Sequence, residues 1–184
     1  MTRSTLSTFL DLGRNRGREV EAYWRSLLSS HHAEVLPLIT KWSPSLKDPD
    51  QRLVAVYLLT KSKVSKAKSK DLVESGLIKA LADKSSIVVV TAMRALVRQG
   101  NKRVIPKLES NLESMDEDVR IQAMLGLHRF KSGSVVWGAR LLRILQNTGG
   151  ASRLVALDLI TKIKLRPALN AVRGLFDHEA WQVR

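Results

Sequence analysis

Four alanines, Ala55, Ala92, Ala123 and Ala156, stand in one repeated frame along this chain. Each is followed four residues later by Leu or Ile (Leu59, Leu96, Leu127, Ile160), and three are preceded by an arginine three residues earlier (Arg52, Arg120, Arg153). The steps between alanines are 37, 31 and 33 residues. A period of this size marks units that are helix pairs, each too small to bury its own apolar face, so that neighbours must stack. The expected fold is therefore all-α, a solenoid of stacked antiparallel helix pairs. The alanine column has a packing reason: two helices approach closely only where a side chain is minimal, and the Leu or Ile one turn later fills the groove beside it. Ala95 and Gly126 extend that stripe in two of the copies.

Turn residues fall where this parse needs them. Gly100 follows the Ala92 helix, where glycine can take the left-handed conformation that ends a helix, and Pro106 sits in the first turn of the return helix, where a missing N–H costs little. The third copy is expected to run from Asp116 to Lys131, break at Ser132-Gly133-Ser134 and return through Trp137 to Leu145. The fourth begins after Gly149-Gly150, runs to Leu165 and returns from Arg166-Pro167 to Phe176.

The first copy is the least regular. Asp48-Pro49-Asp50 caps a helix from Gln51 to about Lys61. Lys61, Lys63, Lys66, Lys68 and Lys70 then crowd a stretch that repels itself and has little to bury, which reads as a solvated loop. Residues 1–47 do not match the repeat; Val20, Tyr23, Trp24 and Leu27 at helical spacing, and a short helix from Val35 to Trp42, read as atypical N-terminal capping helices. Residues 48–184 form the array, and the approach to a further alanine at Asp177–Arg184 reads as a chain cut inside a repeat.

The charge is the compositional extreme: of 184 residues, 31 are Lys or Arg and 17 Asp or Glu, for a formal net charge of +14. Such an excess attracts polyanions, whether nucleic acid, an anionic lipid surface or an acidic protein. No run of about 18 apolar residues or secretory leader is legible, and the chain has no cysteine, which excludes disulfides, thiolate metal sites and a cysteine nucleophile. A cytoplasmic location is expected.

The segment Asp116-Glu117-Asp118-Val119-Arg120-Ile121-Gln122-Ala123-Met124-Leu125-Gly126-Leu127 carries the pattern Asp-x-Val-Arg-x-x-Ala-x-x-x-Leu, which resembles the short HEAT repeat of phycobilisome-lyase-like proteins. The resemblance covers residues 48–184 and implies a right-handed α-solenoid. Proteins similar in this way include scaffolds, transport receptors, bilin lyases, DNA glycosylases and metal-dependent hydroxylases, so it implies no single activity. A hydroxylase needs several His-Glu pairs for its irons; here only His178-Glu179 forms one, and His31, His32 and His128 have no adjacent glutamate. A bilin lyase needs a cleft and attachment chemistry that this sequence does not mark. A glycosylase needs an acid near base-stacking rings; Asp158 and Asp177 are the candidates, with Trp137 near Arg140 and Trp181 near Arg184.

No nucleophile, base and metal constellation stands out, so no catalytic residue, cofactor or metal ligand is assigned. Superposing the return helices at the 33-residue step aligns Lys107, Arg140 and Arg173, with Arg143, Lys102, Arg103 and Arg166 on the same helices. A concave face lined this way suits an acidic segment of another protein. The function expected is a non-catalytic scaffold or adaptor; the alternative is a nucleic-acid-binding protein that contacts phosphates, with or without base excision. An anionic membrane is the weakest partner, because no apolar anchoring face accompanies the lysine run. The arginine ladder Arg52, Arg120 and Arg153 is expected to be structural, each lying along the neighbouring repeat and pairing with a turn aspartate such as Asp118.

Overall fold

A computed structural model describes residues 36–37, 39–41, 43–62, 67–130 and 134–174. Among these residues every regular element is helical, so the coarse class is all-α. The chain divides into two compact units, Met1–Gln99 and Gly100–Arg184. The boundary between these units lies at 99/100. Residues 36–45 share the core of the first unit: Leu36 and Ile39 are fully buried, and Thr40 Oγ1 donates to the Leu72 carbonyl. The expected helix around Val20–Leu27 lies outside the described residues.

Unit 1 contains a 3-10 turn, Ser43–Ser45, and helices α1 (Pro49–Lys61), α2 (Ala67–Ala80) and α3 (Ser86–Arg98). In this unit α1 packs on α2, on α3 and on the 3-10 turn, and α2 packs on α3. Unit 2 contains α4 (Ile105–Ser110) flanked by 3-10 turns Lys102–Val104 and Asn111–Glu113, then α5 (Glu117–Phe130), α6 (Ser134–Asn147), α7 (Gly150–Lys162), a 3-10 turn Arg166–Ala168 and α8 (Leu169–Arg173). There α5 packs on α4 and α7, α6 on α7, and α8 on α6. Helices α1, α3, α5 and α7 carry the four alanines and are the leading helices; α2, α4, α6 and α8 are the return helices.

The repeat columns form the core. Ala55, Ala92, Ala123 and Ala156 are each 0% exposed, and Leu59, Leu96, Leu127 and Ile160 are buried with them. Ala95 and Gly126 are buried as well. Trp137 also belongs to the core, at 6% exposure.

Each leading helix starts at a carboxylate. Asp48 accepts from the Asp50 N–H, and Pro49 occupies the first position, where no donor is lost. Asp83 Oδ1 accepts from the Ser85 N–H at 2.8 Å, just before α3. Asp116 Oδ1 accepts from the Val119 N–H in the first turn of α5. For α7 the acceptor comes from the preceding leading helix: Glu117 Oε1 takes the Ser152 N–H at 3.0 Å. The backbone that permits this has φ +56° at Gly150, where an added Cβ would stand 2.8 Å from the same Glu117 oxygen.

Helix ends follow the glycine rule once and break it once. Gly100 takes φ +69° after α3, as its position predicts. Helix α7 stops at Lys162, short of the Leu165 expected from the sequence, in a Schellman cap: the Lys164 N–H donates to the Thr161 carbonyl and the Leu165 N–H to that of Ile160, with Lys164 itself at φ +52°. The return segment begins at Arg166 and is described as far as residue 174. The lysine run is corrected in part: Lys68 and Lys70 stand on α2, while residues 63–66 lie outside the described residues.

Two of the three ladder arginines make matching forks. Arg52 Nη1 donates to the carbonyls of Leu46 and Lys47, and its Nε and Nη2 grip both oxygens of Asp83 at 2.7 and 3.0 Å. Arg120 Nη1 donates to the carbonyls of Ser114 and Met115, and its Nε to Ser152 Oγ at 3.3 Å. Both arginines thus tie the turn before their own helix to the start of the next leading helix. The turn aspartate expected as a partner is present for Arg52 as Asp83; for Arg120 it is replaced by Ser152, and Asp118 stands exposed. Arg153 is half-buried on α7.

The Arg52–Asp83 pair is 13% and 9% exposed, whereas the Arg143–Glu113 pair at 2.7 Å is 63% and 65% exposed. Removing one member of a buried pair strands the other, so Arg52→Ala is expected to cost about 3 kcal/mol. Arg143→Ala should cost about 0.5 kcal/mol or less. Urea unfolding of both variants checks the order.

Candidate anion-binding surface

Direction within unit 2 follows from a few contacts. Glu117 and Arg120 both reach Ser152, so α5 and α7 start together and run the same way. Arg140 Nη1 donates to the Glu109 carbonyl at 3.1 Å, and Arg143 Nη1 meets Glu113 Oε1 at 2.7 Å. These two links, 31 and 30 residues long in sequence, align α6 with the return helix before it. An added Cβ at Gly138, near the start of α6, would meet Leu165 Cδ1 at 2.8 Å, which places that start beside the residues after α7. The ends of α5 and α7 and the starts of α4 and α6 therefore share one edge of unit 2.

That edge is cationic. Arg129 and Lys162 are each the thirteenth residue of their helix, both exposed. Lys102 and Arg103 stand exposed at the start of the return segment, and Lys164 and Arg166 are exposed in the turn after α7. Among the described residues the nearest carboxylate is Asp158, one turn back on α7, which accepts from Lys162 Nζ at 2.6 Å. The opposite edge collects Glu109, Glu113, Asp116, Glu117 and Asp118.

Helix electrostatics explains part of this pattern and not the rest. A cation in the last turn interacts favourably with the helix dipole by about 0.3–1 kcal/mol, which accounts for Arg129 and Lys162. Lys102 and Arg103 sit at the opposite, positive end of a helical segment, where the dipole favours anions. Lys102, Arg129, Lys164 and Arg166 have no side-chain partner among the described residues.

The structure places all six residues expected to bind a partner in unit 2. Lys102 and Arg103 stand on the cationic edge. Lys107 is half-buried on α4, and Arg173 is exposed on α8, which packs against α6. Arg140 is half-buried and spends one N–H on the neighbouring return helix, leaving its other donors open; Arg143 is paired with Glu113 near the acidic edge. Alignment of the return helices alone missed Arg129, Lys162 and Lys164. The signal was available six residues past each alanine, where Lys61, Arg98, Arg129 and Lys162 all fall. A four-of-four basic column arises by chance about one time in forty at this composition, against about one in six for the Lys107 triple.

Of the residues weighed for catalysis, Asp158 is exposed and paired with Lys162, and Trp137 is buried. His128 is half-buried on α5; His31, His32, Asp177, His178, Glu179, Trp181 and Arg184 lie outside the described residues. No group of three or more His, Asp or Glu that could hold a metal occurs among the described residues, and no described helix is long and apolar enough to cross a membrane.

Lys164 offers a clean separation of charge from fold. A non-glycine residue in the left-handed region costs about 1 kcal/mol, so Lys164→Gly should raise the unfolding free energy by about that amount. The same change removes an exposed cation and should weaken polyanion binding. Thermal melts and anisotropy titrations of this variant should move in opposite directions.

No protein-family model matches this chain, and no curated protein matches it in sequence.

Proposed function

We propose that the chain is a HEAT-like α-solenoid module that works without catalysis, as a scaffold or adaptor docking an acidic protein segment. The observation that carries this reading is the cationic edge of unit 2 together with the return-helix cations beside it. Lys102, Lys107, Arg129, Lys164, Arg166 and Arg173 lack side-chain partners among the described residues, and two cations occupy a helix start that disfavours them. Paired cations in a solvated coat need neither property. Charges of this kind steer association and fix the sign of the partner.

An acidic peptide suits the surface better than single-stranded nucleic acid. Single-strand binding draws about 1–3 kcal/mol per base from stacking on exposed rings. Trp137 is buried, and Tyr57, the exposed large aromatic among the described residues, belongs to unit 1 and carries Lys61 Nζ 5.1 Å from its ring centre.

The test is fluorescence anisotropy with a labelled oligoglutamate and a labelled random-sequence duplex, at low and physiological salt. Replacing Lys102, Arg129, Arg166 and Arg173 by Ala should weaken oligoglutamate binding by about tenfold or more. Alanines at the exposed unit 1 positions Lys41, Lys70, Arg94 and Arg98 should change it by about threefold or less. Equal losses in the two variants would reduce the surface to a dispersed charge effect. Tighter binding of the duplex, lost in the same unit 2 variant with a flatter salt slope, would replace the peptide by phosphate contacts.

A further inference from the structure

A groove of about 630 Å³ opens in unit 1, between the Ser43–Ser45 turn and the turn joining α2 to α3. That volume lies in the range of roughly 300–1,000 Å³ found for ligand sites. Its accessible apolar lining comes from Pro44, Ala80 and Ala82, over the buried Leu46, Val56 and Val88, and the Arg52–Asp83 pair forms part of it. Asp83 is the one carboxylate among the lining residues, and it is neutralised by the Arg52 fork and the Ser85 N–H. Three lysines remain: Lys47, Lys79 and Lys84, each exposed and each without a side-chain partner among the described residues.

An apolar floor with an uncompensated cationic rim discriminates on two properties at once. A purely acidic ligand meets the rim but leaves the floor wet. A purely apolar ligand fills the floor but gains nothing from the charge of the exposed lysines. Partly burying apolar side chains against this lining contributes up to about 1.5–3 kcal/mol in all before ordering costs, so the floor decides affinity and the rim decides sign. We infer that this groove is a second docking site, specific for a short peptide with apolar side chains flanked by carboxylates. It lies wholly within unit 1 and does not draw on the cationic edge of unit 2.

The experiment uses the full chain and two labelled hexapeptides of equal charge, Glu-Glu-Leu-Leu-Glu-Glu and Glu-Glu-Ser-Ser-Glu-Glu, titrated at physiological salt. The leucine peptide should bind about tenfold tighter than the serine peptide. Two variants probe the groove: Lys79→Glu with Lys84→Glu reverses the rim, and Ala82→Trp fills the groove from an exposed lining position. Each should cut leucine-peptide binding about tenfold, with circular dichroism and melting unchanged to show an intact fold. A third variant, Lys102→Ala with Arg129→Ala and Arg166→Ala in unit 2, should leave the leucine-over-serine preference unchanged. Equal binding of the two peptides, no effect of Ala82→Trp, or loss of the preference in the unit 2 variant would each overturn the groove site. None of these outcomes decides the oligoglutamate test of unit 2.

Discussion

Within each unit, the start of one leading helix is tied to the start of the next by an arginine that cannot be satisfied within its own helix. Arg52 and Arg120 each spend one terminal nitrogen on two carbonyls of the turn before their helix, five and six residues back. Their remaining donors cross to the next leading helix, at Asp83 and Ser152. A guanidinium presents its donors in a rigid plane, so fixing the near side against a turn aims the far side at one place. Asp83 does two jobs there, receiving the fork and taking the Ser85 N–H before α3. In unit 2 the same jobs are split: Ser152 receives the fork, and Glu117 takes the Ser152 N–H. The second copy has Val89 where the others have arginine. A valine cannot make the fork, and the chain divides into its two units directly after that helix.

Charge segregation follows from the same arrangement. Within a unit the leading helices run in parallel, so their N-terminal carboxylates gather on one edge and their last-turn cations on the other. Each choice is locally favourable, an acceptor where N–H groups are unpaired and a cation where carbonyls are. Repetition turns this local preference into an edge of one sign. Lys102 and Arg103 do not belong to that logic, because they begin a return segment at the edge where its dipole is positive.

What could be read from the sequence was whatever depends on spacing alone. The alanine column, the Leu or Ile beside it, the glycine after α3 and the Asp48-Pro49 start all sit where a helical period puts them. Partner identities were less legible, because they depend on which residue a neighbouring repeat brings within reach. Asp118 looked like a partner for a ladder arginine by sequence proximity, yet Arg120 reaches Ser152, 32 residues on. The end of α7 was misplaced because its left-handed residue is Lys164, which no glycine rule would select. Lys68 and Lys70 read as loop residues because the run repels itself, but lysine is a good helix former and α2 gains its stability by burying Val73 and Leu77.

The two proposed docking surfaces differ in the physics that would hold a partner. On the edge of unit 2 the cations stand exposed on helix ends and turns. Their attraction for a partner is screened over a Debye length of about 8 Å at physiological ionic strength, so a partner gains affinity by touching several of them. In the unit 1 groove the lysines surround an apolar floor, and water displaced from the floor contributes a term that salt does not screen. A partner bound to the edge is therefore selected for the number of its charges, and one bound in the groove for the residues between them.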